Sequence, residues 1–191
     1  MCLDRGAPRG TIMDMRYLAL LIVPGAALAD CPPPPDFPPR HAELMEEVRT
    51  APNEMSARAA ANQLWEIWAD APDAKAQAML DEGMRARASW DFETAEEAFD
   101  SLVAYCPDYA EGYNQRAFVN FLRRDFETAL VDLDRALALS PEHIAALSGR
   151  ALTLLGLGRD EEGQIALREA LRLNPWLPER RLATLPPEEE L

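Results

Sequence analysis

Glycine is scarce in this chain, with 9 among 191 residues, and aromatic side chains make up only 7%. That composition leaves little for a β-rich domain or for a glycine-built loop that cradles phosphate. Basic residues are outnumbered, 19 against 33 acidic, for a formal charge of −14. A protein that neutralises phosphates needs a basic face from which counterions are released, so the balance argues against nucleic acid and against an anionic membrane surface. Histidine occurs twice, at His41 and His143, about a hundred residues apart. No zinc-type histidine spacing and no Cys-x-x-Cys pair is present. Alanine, leucine, glutamate and arginine dominate instead, and these strong helix formers point to an all-α fold.

The one long apolar run, Tyr17 to Ala29, follows Arg16 and closes on the small-x-small triplet Ala27-Leu28-Ala29. At thirteen residues it is short of the roughly 20 that a spanning helix requires, and Pro24-Gly25 interrupts it. It reads as a signal peptide over residues 1–29, with Met15 the expected true start, cleavage after Ala29 and a mature product that is periplasmic or secreted, with no stable membrane insertion. Cys31 follows Asp30 rather than a small residue, which disfavours lipidation. Two cysteines would remain after cleavage, Cys31 and Cys106. In an oxidising compartment they invite a disulfide, although spacing leaves equally open a tail thiol and a buried thiol that never meet. The segment 30–40, rich in proline, reads as an extended spacer.

Internal repetition carries the fold. Asp91-Phe-Glu-Thr-Ala95 recurs unchanged as Asp125-Phe-Glu-Thr-Ala129, and Pro107, Pro141 and Pro175 fall one 34-residue period apart. A fixed period of this length means stacked helix pairs, each closed by a proline that has no amide hydrogen to continue the helix. Small residues recur where the two helices of a pair must meet, at Gly83, Ala117 and Ala151 and again at Ala95, Ala129 and Gly163. Large ones flank them: Met79, Tyr113 and Leu147 before the first set, and Phe99, Leu133 and Leu167 after the second.

At these residues the chain resembles the tetratricopeptide repeat family, and within it the small exported members of Gram-negative bacteria. The resemblance covers three repeats, 76–109, 110–143 and 144–177. The third has Asp160 where the others have Phe92 and Phe126, and the first has Trp90 at the turn position held by Gly158 in the third. It implies a right-handed superhelical solenoid of antiparallel helix pairs. Residues 41–75 hold two further helical runs, Ala42 to Thr50 and Met55 to Asp70, which read as a degenerate pair or N-terminal cap. Residues 178–191 read as a C-terminal cap, with Trp176, Leu182 and Leu185 covering the last pair, followed by a mobile acidic tail.

No catalytic constellation emerges, and no cofactor or metal is expected. Gly156-Leu-Gly158 lacks the Lys-Ser/Thr ending of a phosphate loop and reads as an interhelix turn. Ser148-Gly149 lies inside a helical run rather than at a strand-to-helix elbow. The pairs Glu96-Glu97, Glu161-Glu162 and Asp132/Asp134 read as a solvated face, and His143 as a surface or turn residue at the head of a helix. The expected function is protein–protein interaction: a scaffold without enzymatic activity, holding a peptide or helix of a cell-envelope protein in its concave groove. Helix geometry assigns to that groove Asn114, Phe118 and Phe121, then Leu80, Met84 and Arg87 one period earlier and Ser148, Leu152 and Leu155 one period later. These residues could instead pack one repeat on the next, or lie beneath the C-terminal segment. The alternative function is a small-ligand-binding or enzymatic periplasmic protein with Arg87, Asn114 or Asp81 as polar anchors. The resemblance also implies a comparison with members that clamp the carboxylate tails of heat-shock chaperones, and of the matching positions only Arg87 and Asn114 are suited to that.

Overall fold

A computed structural model of the chain describes Met1 and residues 31–184. The expected signal segment, its cleavage point and the acidic tail from Leu185 onward lie outside the described residues. Eight α-helices are present among the described residues: α1 (Pro39–Arg49), α2 (Glu54–Trp68), α3 (Ala74–Ala88), α4 (Phe92–Tyr105), α5 (Ala110–Leu122), α6 (Phe126–Leu139), α7 (Ile144–Gly156) and α8 (Asp160–Leu173), followed by a short 3-10 turn at Pro178–Leu182.

Local chemistry accounts for the boundaries. In the repeated Asp-Phe-Glu-Thr sequence, the Asp91 carboxylate accepts from the Thr94 amide at 3.2 Å, and Asp125 accepts from Thr128 at 3.3 Å. Each therefore satisfies one of the amides that the first turn leaves without a partner. Asn53 and Asp73 cap α2 and α3 in the same way. Pro107, Pro141 and Pro175 each sit two residues beyond the last residue of α4, α6 and α8. The turns between paired helices need a left-handed residue, and Trp90, Arg124 and Gly158 adopt it at φ of 65°, 65° and 73°.

Helices α3/α4, α5/α6 and α7/α8 pack as pairs, and successive pairs stack through α4 on α5 and α6 on α7. Gly83 lies against Phe99 so closely that an added methyl group would come within 2.5 Å of the ring. The equivalent contacts in the later repeats are alanine against leucine, Ala117 with Leu133 and Ala151 with Leu167. Arginines on the first helices pin each repeat to its predecessor. Arg116 donates to both oxygens of the buried Asp132 and reaches Asp100 at 2.7 Å, while one period later Arg150 reaches Asp134 at 2.7 Å. Of the Asp132/Asp134 pair expected to be solvated, Asp134 is exposed as expected, whereas Asp132 is buried and belongs to the scaffold. The bond to buried Asp132, within Arg116's own pair, is worth more than those to exposed Asp100 and Asp134 on the preceding pair.

The first two helices form a hairpin, but its apolar side does not continue the stack in front of α3. Leu44, Val48, Leu64 and Trp68 pack instead with Ile144 and Leu147 of α7 and with Ala170 and Leu173 of α8. The hairpin thus crosses the edge of the solenoid formed by the loops that enter α5 and α7. The segment after α8 is tied to it: the Trp176 indole donates to the Ala51 carbonyl at 2.8 Å, and Arg180 pairs with Glu54 at 3.1 Å. Leu182 remains half exposed, and Gln164 of α8 holds that stretch by its backbone, accepting from Thr184 and donating to Leu182.

Cys31 and Cys106 are joined as a disulfide, with their Cα atoms 5.1 Å apart. Cys106 closes α4 and is buried, so the bond fastens the proline segment to the end of the first repeat.

Candidate binding groove

The first helix of each repeat turns one side toward the concave face, and its register decides what each side chain can do. Leu80, Asn114 and Ser148 occupy one register position, and all three are buried. Leu80 lies wholly within the core that holds Phe99 and Leu102. The next position, Met84, Phe118 and Leu152, is partly open, with Phe118 44% exposed. The third position diverges along the stack. Arg87 and Phe121 face the groove, whereas Leu155 fills the space that the missing side chain of Gly163 leaves in α8.

Six of the nine expected residues, Arg87, Asn114, Phe118, Phe121, Ser148 and Leu152, come together around a pocket of about 420 Å³. Leu80, Met84 and Leu155 do not line it. Asp81 stands outside as well, exposed and bonded to Gln77 at 2.9 Å. Two parts of the wall come from beyond the repeats: Trp65 of α2, and Leu177 to Glu179 of the C-terminal segment. The groove is consequently narrower than the repeats alone would make it. Apolar side chains make most of the wall, and Arg87 sits over the Phe118 ring at 4.6 Å. Burial draws the Arg87 guanidinium below its ordinary range, and the charge of Glu111 opposes that shift.

Beneath the groove runs a buried polar chain that the periodic reading missed. Arg87 donates to Gln115 Oε1, Gln115 donates to Glu111 Oε1 at 2.5 Å, and Asn114 donates to Glu111 Oε2 at 2.9 Å. His143 Nε2 also lies 2.8 Å from Glu111 Oε2, while its Nδ1 accepts from the Ala146 amide at 3.3 Å. The second contact makes Nδ1 an acceptor, so the ring N–H lies at Nε2 and donates a hydrogen bond to Glu111 Oε2. His143 is the expected helix head, but it is fully buried rather than at the surface, stacked on Trp68 with ring centroids 4.3 Å apart. Both ring nitrogens have protein partners in a ring that is fully buried. The position 34 residues before His143 is Tyr109, whose hydroxyl donates to the Trp68 carbonyl at 2.8 Å. The loops entering α5 and α7 thus both hold the hairpin, and burial pushes the Tyr109 phenol well above its ordinary range.

Among the described residues no group of three or more histidine, cysteine or acidic side chains is placed to hold a metal ion. No helix among them is long and apolar enough to cross a membrane.

The fold and groove define a class: a solenoid of helix-pair repeats with an inward-facing groove. Human tetratricopeptide repeat protein 36 is 31% identical over 126 residues, covering 64% of this chain and 67% of that protein. The chain belongs to the tetratricopeptide repeat family. A repeat-containing protein of Rhizobium etli is 28% identical over 119 residues, 62% of this chain and 58% of that one. The chain thus spans less than two thirds of the length of that relative, as it does of the mouse protein 36, at 59%. No family model matches the chain. Among solved structures, the first such domain of RPAP3, bound to an HSP90 peptide, superposes with a TM-score of 0.56 at 22% identity, over 58% of this chain and 88% of that one. The Arabidopsis OM64 domain superposes at 0.55 with 20% identity, over 56% and 89%.

Proposed function

We propose that this protein is an exported, non-enzymatic interaction module whose groove holds an extended segment of another cell-envelope protein by one large apolar side chain. The observation that carries the reading is the 420 Å³ pocket enclosed by Phe118, Phe121, Leu152 and Trp65. A helix 10–12 Å across occupies roughly 400 to 600 Å³ per turn. The pocket therefore holds about one helical turn at most, and with Trp65 and the Leu177–Glu179 stretch narrowing the groove, an extended segment with one inserted side chain is the ligand we favour over a longer amphipathic helix. A half-exposed aromatic in a concave apolar site is the common form of a binding hot spot. Support by likeness comes from the RPAP3 domain and from the yeast Sti1 domain, whose structures hold HSP90 and Hsp70 peptides. Export is supported by the apolar run ending at Ala29 and by the disulfide, a bond that persists in oxidising compartments.

Selection from a displayed library of random peptides tests the binding reading. Selected peptides should share one aromatic or large aliphatic position, and Phe118→Ser should weaken them at least about tenfold, the loss of a modest hot-spot contact. Glu97→Ser, on the outer face, should bind as the wild type does. Peptides indifferent to Phe118→Ser would place recognition elsewhere. The export reading is tested by the mass of the mature protein, which should begin at Asp30; a cytoplasmic product beginning at Met1 or Met15 would overturn it.

A further inference from the structure

A second cleft, separate from the groove, lies at the edge of the solenoid where the hairpin crosses it. It encloses about 790 Å³, and its walls include Trp68 of α2, Tyr109 and Glu111 at the head of α5, and His143 at the head of α7. One side of it is the proline segment, Pro34 to Pro38. We propose that the Cys31–Cys106 disulfide is a redox latch that holds this proline arm across the cleft, and that reduction by a dithiol releases the arm while the rest of the fold stays in place.

Among the described residues the arm is fastened at two points. One is its continuation into α1 at Pro39; the other is the disulfide. Between them it lies in no helix or strand. Five of the eight residues from Cys31 to Pro38 are proline and have no amide hydrogen to give. Among the described residues its one backbone hydrogen bond runs from the His41 amide to the Pro38 carbonyl at 2.8 Å, within its own junction with α1. Phe37 stacks on His41, which also belongs to α1. Cys31 packs against the first core cluster, where the disulfide holds it, and Pro32 to Pro34 border a small cleft beside Tyr105, Pro107 and Tyr109 without a hydrogen bond to the repeats among the described residues. The hairpin, in contrast, keeps its hold without the disulfide, through Leu44, Val48, Leu64 and Trp68 in the core, the Tyr109 bond to Trp68, and the Trp176 and Arg180 bonds. Cutting the disulfide therefore frees a flap hinged at Pro38 and Pro39, not the domain.

The chemistry favours attack at one sulfur. Cys106 is 1% exposed, whereas Cys31 is only partly buried. A thiolate of the dithiol attacks Cys31 Sγ, the Sγ–Sγ bond breaks, and Cys106 leaves as a thiolate that takes up a proton. The second thiol of the reductant then displaces Cys31, which is protonated in turn. Two electrons and two protons pass to the protein and the dithiol becomes a disulfide.

The test is nitrogen-15 relaxation on the full chain, oxidised and after treatment with dithiothreitol. Backbone order parameters at Asp36 and Phe37 should fall from about 0.85 to below about 0.6 on reduction, the change from rigid to flexible backbone. A soluble paramagnetic agent should relax the amides of Tyr109 to Glu111 at least twice as fast once the arm is away. Cys31→Ser should show both changes without reductant, while the shifts of α6 and α8 stay as in the oxidised protein. Equal order parameters in the two forms would overturn the latch. So would a collapse of shifts throughout the chain, since the disulfide would then be holding the whole fold.

Discussion

The seam between α3 and α4 offers a decisive substitution, Gly83→Ala. Glycine inside a helix normally costs about 1 kcal/mol relative to alanine, so at an open position the change would stabilise the protein by that amount. Here the new methyl group would lie 2.5, 2.6 and 2.8 Å from Cε1, Cζ and Cδ1 of Phe99. That ring is fully buried and has no solvent into which to swing. Overpacking of this kind costs about 1 to 3 kcal/mol, which exceeds the propensity gain and leaves a net loss of about 1 kcal/mol. Phe99→Leu alone should lose about 1 to 2 kcal/mol through the space it opens. Together the two changes recreate the alanine–leucine contact of the later repeats. The double variant should then be more stable than Phe99→Leu, with a favourable coupling of about 2 kcal/mol. Urea unfolding of the four proteins measures it. A stabilised Gly83→Ala, or two strictly additive losses, would refute the close approach of α3 to Phe99.

Three further outcomes follow from other parts of the chain. Trp90 holds φ of 65° with its side chain mostly in water, so Trp90→Gly should stabilise by about 0.5 to 1 kcal/mol, and Gly158→Ala, with nothing within 4 Å of its new methyl, should lose a similar amount through φ alone; thermal melts compare them. Cys31→Ser should destabilise by up to about 4.5 kcal/mol in the chain-entropy account, given the sequence separation of 75, as read by denaturant midpoint under non-reducing conditions. Burial lowers the His41 pKa below its ordinary 6.5, so the unfolded chain binds the proton more readily. Stability therefore falls as pH drops below that value, and His41→Phe should flatten this part of the stability–pH curve.

Much of the repeat architecture was legible because it is written twice or three times. The recurring Asp-Phe-Glu-Thr caps, the spaced prolines and the alternation of small and large residues each act within one period, over contacts a few tens of residues apart at most. The groove was legible by halves. Helix geometry grouped Arg87, Asn114, Phe118, Phe121, Ser148 and Leu152, but it could not separate the buried register of Leu80 from the open one of Phe118. That distinction depends on how tightly one repeat seats on the next. Leu155 was drawn away by Gly163, a pairing visible only once the two helices are seen side by side. The hairpin is the part that sequence periodicity could not place, because it has no copy elsewhere in the chain. Its position is set by Trp68 meeting His143 and by Trp176 reaching Ala51, contacts across 75 and 125 residues. His143 reads as a surface cap for the same reason: nothing local announces that a second helix pair will cover it. Tyr109 and Glu111 offered a faint signal, a tyrosine and an acid at the head of a helix, set in a stretch with other polar residues.

The measurement closest to the central claim is photocrosslinking in the living cell, with a benzophenone amino acid placed at Phe118 in one version of the protein and at Val131, exposed on the outer face of α6, in another. A partner seated in the groove should be joined to the first and not to the second, and the joined peptide should bring a large apolar side chain to the pocket beside Trp65 and Leu152. Equal crosslinking from both positions, or a product from Val131 alone, would contradict the groove as the binding surface.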